Sequence, residues 1–466
     1  MGGAADGGAL PGRQAARAET ERFAAALERS FATADAAAAA VPPAASFAQL
    51  GLPQRLLTAV ERAGIRSPFP IQARTMPDAL AGRDLLGRAE TGSGKTLAFG
   101  LPMLARLTAG DRRPGSPRGL VLVPTRELAG QVTAALAPLG QPVDLRVHAV
   151  YGGAPIRRQI DALRRGVDVL VATPGRLIDL IEQGECSLAR VEITVLDEAD
   201  HMADLGFLPA VTRLLDQTPP GGQRLLFSAT LDNEVDRLVR GYLTDPATHA
   251  VASAAAPVST MDHRSFTVRA EDKVAVTAQI AARPARTLVF VRTKHGADRL
   301  VRQLGHSGVA ASALHGNLKQ NARERALEAF AAGRTRVLVA TDVAARGIHV
   351  DDVDLVVHYD PPADHKDYLH RSGRTARAGA SGTVLSLLLP EQVREAGRLH
   401  ERAGVAPVTV RVEPGHSAVL EIGASGDPVT VLPLPEPTRS AAPARASGNR
   451  GRPSRRHRAA ARRPAA

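Results

Sequence analysis

Short apolar runs of four or five residues, each followed at once by a polar cluster, recur through most of the chain. Ile193-Thr194-Val195-Leu196, running into Asp197-Glu198-Ala199-Asp200, is one of them. Such runs, too short for helices and bounded by polar residues, read as parallel strands buried on both faces. Between Ser46 and about Val251 the expected strands are Asp84–Leu86, Gly119–Val123, Val147–Val150, Asp168–Val171, Ile193–Leu196 and Arg224–Phe227. Longer helix-like segments separate them, which is the pattern of a parallel α/β sheet. A second alternating unit spans about Met261 to Val412, with strands at Thr287–Val291, Ala311–Leu314, Arg336–Ala340, Leu355–His358 and Thr383–Leu388. The small-residue stretch 252–260 reads as a linker, and 413–432 as a short extension. The similar layouts predict two related sheet domains, 46–251 and 261–412, facing each other across a hinge. Residues 1–45, rich in Ala and Gly, and 433–466, rich in Pro, Ala and Arg, are expected to be disordered, apart from a helical pattern at Glu19 to Arg29.

Composition narrows the class. A length of 466 residues, 44% hydrophobic, accommodates two or three domains with cores of their own. Mean hydropathy is -0.10, and no apolar run approaches the ~18 residues of a membrane span. No basic segment followed by an apolar core opens the chain, so secretion is not expected. One cysteine, Cys186, cannot form an internal disulfide, which fits a reducing cytoplasm. The net charge of +12 is uneven: residues 439–466 hold nine arginines and no acid. Lysine is scarce, and the Arg and Ala excess points to a GC-rich genome and hence a bacterium.

The polar clusters carry the chemistry. Ala89-Glu90-Thr91-Gly92-Ser93-Gly94-Lys95-Thr96 follows a strand and precedes an apolar helix. A Gly-rich turn at a helix N-terminus presents backbone N–H groups as an anion cradle. Here Ala89 takes the first position of the phosphate loop and Gly94-Lys95-Thr96 closes it. Lys95 is expected to pair with β- and γ-phosphate oxygens and Thr96 to ligate Mg²⁺. About a hundred residues on, Asp197 emerges at the carboxyl end of another strand, where open α/β sheets bind ligands. An acid there suits Mg²⁺, and Glu198 beside it is the candidate to polarise an attacking water. The chain is therefore expected to bind and hydrolyse a nucleoside triphosphate.

Gly64-Ile65-Arg66-Ser67-Pro68-Phe69-Pro70-Ile71-Gln72, with Phe47 placed 17 residues before its glycine, resembles the Q motif of DEAD-box RNA helicases. The resemblance covers roughly residues 46–412, with the motifs in family order. It implies two tandem RecA-like domains, ATP and Mg²⁺ as cofactors, and RNA as partner. It implies that Gln72 selects adenine and that Phe47, Ala89, Thr91, Gly92, Ser93, Gly94, Lys95 and Thr96 line the nucleotide. Pro124-Thr125-Arg126, Gly152-Gly153 and Thr173-Pro174-Gly175-Arg176 are similar to the family's RNA-contacting loops in the first domain. In the second domain Arg292-Thr293, His315-Gly316, Gln320 with Arg323, Thr341 and Arg346-Gly347 match positions on the RNA and at the cleft. Hydroxyls, glycine N–H groups and arginines of this kind bind phosphates and 2′-OH groups without reading bases. Aromatics are only 3% of the chain and Trp is absent, which argues against stacking as the binding device.

By the same resemblance Ser228-Ala229-Thr230, with Asp200 and His370, couples hydrolysis to RNA binding. Arg374 and Arg377 reach the γ-phosphate when the domains close. An arginine finger contributes about 10³–10⁵ in rate, so closure on RNA would control hydrolysis. One departure stands out: the family's Asp after Arg-Gly-Ile is His349 here, with Asp351 and Asp352 following, and this puts the ribose contact in question. Two rival functions remain open, a translocating helicase of a related group and an ATP-dependent RNA clamp. The tail reads as a general RNA tether or an inert biased segment. Its Arg450-Gly451-Arg452-Pro453 also resembles an AT-hook core.

Overall fold

The alternation resolves into two seven-stranded sheets in which every neighbouring pair is parallel. The computed structural model describes residues 46–89, 93–231, 233–250, 261–345, 353–376 and 382–426, together with scattered helical positions between 22 and 33. The first sheet contains β1 (Leu85–Arg88), β2 (Gly119–Leu122), β3 (Val147–Val150), β4 (Val169–Ala172), β5 (Ile193–Asp197), β6 (Gln223–Ser228) and β7 (Ala247–Ala250), in the order β3-β4-β2-β5-β6-β1-β7. The second contains β8 (Asp262–Thr267), β9 (Thr287–Phe290), β10 (Ala311–Leu314), β11 (Val337–Ala340), β12 (Leu355–His358), β13 (Thr383–Leu388) and β14 (Val408–Arg411), in the order β10-β11-β9-β12-β13-β8-β14. Counted from the first strand of each, the two orders are the same permutation. Both sheets lie within a single compact unit.

Every strand expected from hydropathy is present. Three more were not expected: β7, β8 and β14. Asp262-His263-Arg264-Ser265 gives β8 a polar face, yet it is held between β13 and β14. Pairing on both sides supplies what its side chains do not. The edge strand β14 is mostly exposed, with Val408 outward, so no apolar run marks it.

Helices cover both faces of each sheet. In β2, Val121 packs into one core with the helices Pro70–Leu80, Lys95–Arg106 and Arg126–Gly140, while Leu120 and Leu122 pack on the opposite side. This is why the strands read as unbroken apolar runs. The second core extends beyond Val412: the helix Ser417–Ala424 inserts Val419 and Ile422 against Val276 and Ile280. The amino-terminal segment also departs from the expected disorder at one point. Phe31 is fully buried, with the Arg88 guanidinium 4.5 Å from its ring centroid, and Ser30 hydrogen-bonds the Thr248 hydroxyl at 2.6 Å. The rest of 1–45, the linker 252–260 and the tail 433–466 lie outside the described residues or nearly so. Among the described residues, no helix is long and apolar enough to cross a membrane.

Candidate active site and RNA-facing loops

The phosphate loop leaves β1 through Ala89 and enters the helix Lys95–Arg106 through Gly94, whose φ of 88° is left-handed. A Cβ there would lie 2.4 Å from Phe69 and 2.5 Å from the Gln72 amide nitrogen, so only glycine fits. Gln72 is buried; its Oε1 accepts the Phe69 N–H at 2.9 Å and its Nε2 donates to the Gly94 carbonyl at 2.9 Å. The amide that the resemblance assigns to adenine thus ties its own segment to the phosphate loop. Phe47 sits in the core with 3% of its surface exposed, and the exposed aromatic beside the loop is Phe69, at 55%. Lys95 is buried, donates to the Ala89 carbonyl at 2.9 Å, and lies 4.0 Å from Asp197 Oδ1. Ser93 and Thr96 are described, whereas Thr91 and Gly92 are outside the described residues.

Asp197 closes β5, and burial pushes its carboxyl up to about 6; Lys95 opposes the shift and Glu198 adds to it. Glu198 follows in the left-handed region, with φ 54° and ψ 53°, a strained conformation for a side-chain-bearing residue that clusters at functional sites. Burial would raise its carboxyl too. The hydrogen bond and charge of His201, then Lys95 and Arg374, outweigh that and hold it near 2. Glu198 is therefore a stable carboxylate inside the protein. Asp200 Oδ2 accepts from the N–H groups of Ala229 and Thr230 at 3.1 and 2.8 Å and from the Thr230 hydroxyl at 3.0 Å, while Ser228 Oγ accepts the Asp200 N–H at 3.2 Å. These four coupling candidates form one hydrogen-bonded knot.

In the second half the helix His365–Ser372 carries His370 and Arg371, which line a small pocket with Phe290 and Asp342. Arg371 grips Asp342 in a bidentate pair at 2.5 and 2.8 Å and donates to the Asp360 carbonyl at 2.8 Å. Its neighbour Arg374 lines the same small pocket as Asp342 and Arg371, and its charge is among those that lower Glu198. Arg323 crosses outright: its Nε donates to Glu127 Oε1 at 2.8 Å, both side chains being buried, and Arg126 shares that carboxylate at 3.2 Å. Arg377, Arg346, Gly347 and His349 lie outside the described residues.

The loops expected on RNA fall at corresponding strand ends. Pro124-Thr125-Arg126, Gly152-Gly153 and Thr173 to Arg176 follow β2, β3 and β4; Arg292-Thr293, His315-Gly316 and Thr341 follow β9, β10 and β11, the strands in the same places of the second sheet. Arg176 donates to the Ala154 carbonyl at 3.2 Å, fixing two of these loops together. Thr125 and Thr293 each cap a helix. Gly152, Gly153, Gly316 and Arg292 are exposed, whereas the His315 ring is buried and hydrogen-bonds Asp298 at 2.9 Å. The phosphate-loop and acid candidates follow β1 and β5 of the first sheet, and the coupling candidates follow β5 and β6.

Comparison with known proteins places this frame. The family model for the DEAD/DEAH box helicase domain matches residues 69–238, and that for the helicase conserved C-terminal domain matches 272–379. The chain belongs to the DEAD-box helicase family. It is 42% identical over 359 residues to the ATP-dependent RNA helicase DBP2 of Eremothecium gossypii, covering 74% of this chain and 63% of that protein. It is 41% identical to DEAD-box ATP-dependent RNA helicase 30 of Arabidopsis thaliana, over 79% of this chain and 64% of the relative. The chain thus spans under two thirds of the length of these two relatives. Among solved structures, S. cerevisiae Dbp5 bound to RNA and ADP BeF3 superposes with a TM-score of 0.70 at 29% identity, over 82% of this chain and 99% of that one. The parallel sheets are thus the two RecA-like domains of a DEAD-box protein. Two site residues were not singled out from the sequence: Asp298, beside His315, and His201. Only His201 left a local signal, its i, i+3 spacing from Glu198 on a helical turn.

Proposed function

We propose that this DEAD-box protein is an RNA-stimulated ATPase that binds single-stranded RNA and unwinds short duplexes or remodels RNA–protein complexes. The observation that carries the reading is the buried pairing of Arg323 with Glu127, which draws one lobe onto the other. The hydrolytic centre would be complete only when the lobes meet. Binding of RNA and ADP BeF3 by the similar Dbp5 supports the same partners here.

ATP would lie with its phosphates at the N-terminus of the helix Lys95–Arg106, where backbone N–H groups and the helix dipole favour anions. Lys95 would exchange the Ala89 carbonyl for β- and γ-phosphate oxygens. Glu198, ionised and anchored, accepts a proton from the attacking water, and Arg374 with Arg377 balances charge on the γ-phosphoryl group. The Asp200 knot links that centre to the strand-end loops on RNA. The donors fit Mg²⁺: the Asp197 carboxylate and the Thr96 hydroxyl are hard oxygen ligands, and one carboxylate with substrate phosphates is the usual Mg²⁺ set. When bound, the ion neutralises charge on the β- and γ-oxygens. RNA would run along the loops after β2, β3, β4 and β9, β10, β11, held by its backbone.

The domain limits 46–251 and 261–412, with Phe31 added to the first core and the helix Ser417–Ala424 to the second, a bacterial origin and a cytoplasmic location belong to this proposal. The origin rests on the arginine-rich composition alone, since the two relatives named above come from a fungus and a plant. Ribosomal or mRNA-decay proteins are the partners expected. The test is ATP turnover of the full chain with and without single-stranded RNA, together with strand separation of duplexes of increasing length. Turnover should rise with RNA, and unwinding should fail as duplexes lengthen. Turnover indifferent to RNA would overturn the reading, and length-independent unwinding would replace it with a translocating helicase.

A further inference from the structure

Glu198 has an unusual support. It stands just before the short helix Ala199–Asp204, in a left-handed backbone conformation. A glutamate has three side-chain torsions, so burial alone does not orient its carboxylate. One side chain does: His201 Nδ1 lies 3.0 Å from Glu198 Oε2, and each side chain is only 8% exposed. An ionised carboxylate has no proton to give, so Nδ1 carries the hydrogen. The other ring nitrogen, Nε2, is buried with no hydrogen-bond partner among the described residues. A buried imidazole half-satisfied in this way costs free energy unless its one bond is useful. His201 is also fixed from behind, because its backbone N–H donates to Asp200 Oδ1 at 2.9 Å, the carboxylate that gathers Ala229 and Thr230. His201 thus touches the coupling knot through its backbone and the base through its ring.

We propose that His201 is a positioning residue for hydrolysis: by holding Oε2 of Glu198 it presents Oε1 to the attacking water. The inference rests on the reading of Glu198 as general base and adds a second residue to it. The clamp leaves one carboxylate oxygen free in a set direction, and that direction decides whether proton transfer is in line with attack. It also gives the Asp200 knot a route to the base, because a shift of the helix Ala199–Asp204 would move both His201 and the oxygen it holds.

The chemistry of the ring suggests the test. Asparagine places its amide nitrogen near where Nδ1 sits, whereas glutamine reaches the place of Nε2, and leucine has neither. Steady-state ATP turnover of the full chain would be measured at saturating poly(U) single strand for His201→Asn, His201→Gln and His201→Leu. The Leu and Gln variants should lose about 10–100-fold in kcat, a part of the roughly 10²–10⁴ that a general base contributes. Their KM for ATP and their affinity for poly(U) should stay within about twofold, the pattern of an interaction made only in the transition state. The Asn variant should recover most of kcat. A Leu variant with wild-type kcat, an Asn variant as slow as Leu, or a loss confined to KM would overturn the proposal.

A structural role for His201 is separated by a cycle in the background of Glu198→Gln. If His201 acts through Glu198, adding His201→Leu there costs no further turnover, whereas a folding defect would add its own loss. The same cycle keeps the two readings apart. Full turnover in Glu198→Gln alone would overturn the general-base reading. Abolished turnover in Glu198→Gln, with His201→Leu unaffected, would overturn only the clamp.

Discussion

The two sheets share one strand order but carry opposite electrostatics at matching positions. At the end of β5 the first sheet buries acids: Asp197, raised to about 6, and Glu198, held near 2 by His201 and cations. At the corresponding end of β12 the second sheet buries a neutral imidazole. His358 is fully buried, neither ring nitrogen has a partner among the described residues, and burial drives its pKa well below the usual value, helped by Arg371, His400 and His263. It packs edge-on to Tyr368, which also meets His400. The same frame therefore buries two acids at the strand end of one lobe and a neutral imidazole at that of the other, where Arg371 stays buried against Asp342. A duplicated scaffold divides labour through what stands at its strand ends.

The division can be broken most sharply at Arg374. Replacing it with Ala should lower RNA-stimulated ATP turnover by about 10³–10⁵, the contribution of an arginine finger, and Lys should recover only part because it lacks the planar fork. A fall of less than tenfold would mean that the second lobe does not supply catalytic charge. Next comes the pair that joins the lobes. Removing one partner of a buried ion pair costs about 3–5 kcal/mol, so Arg323→Met or Glu127→Leu alone should raise the RNA concentration needed for half-maximal turnover by at least tenfold. The double variant, with neither charge left unpaired, should bind RNA better than either single one, as a double-mutant cycle would register.

Acid should distinguish the lobes more gently. Unfolded histidine takes up its proton near 6.5, but burial, followed by the charge of His263, holds His400 down to about 4, and burial holds His358 well below its usual value. Between those limits the unfolded chain binds more protons, so stability falls as pH falls, by up to about 1.4 kcal/mol per pH unit for each histidine. Asp197 works the other way: with its folded value raised to about 6 from 3.8, the folded state takes the proton first, and acid favours it between those values. Urea unfolding at pH 7.5 and 5.5, followed by hydrogen exchange in each sheet, should show β12 and β13 losing protection before β5 and β6. The replacement His358→Phe should flatten that slope. The smallest effect is expected from removing residues 437–466. Nine arginines leave with them, so RNA affinity should weaken at low salt and its logarithmic salt dependence become shallower. An unchanged slope would mark the tail as inert.

Legibility followed the range of the interactions. Strands buried on both faces announce themselves, because every side chain must be apolar; β2, β4, β9 and β11 are of this kind. β8 and β14 escaped because pairing partners, not their own residues, hold them. The helix Ser417–Ala424 escaped because only Val419 and Ile422 of its turns reach the core. In the site, Gly94, Lys95, Asp197 and Glu198 could be proposed from the sequence because their expected chemistry is local to a strand end. Gln72 could be proposed too, but its hold on Gly94 could not, since the contact joins segments on either side of β1.

The order of residues by itself determined the short-range features: which runs bury as strands, where a glycine turn enters a helix, which acids end a buried strand. These depend on burial periodicity and backbone freedom, properties of a few consecutive residues. Only the tertiary structure decided that β3, β4 and β2 stand together on one side of the sheet and β5, β6 and β1 on the other, that Glu127 meets Arg323 across 196 positions, and that Phe31 is buried. Those outcomes follow from sheet order and from the pairing of charges that leave water together, and neither is written in the hydropathy of any single stretch.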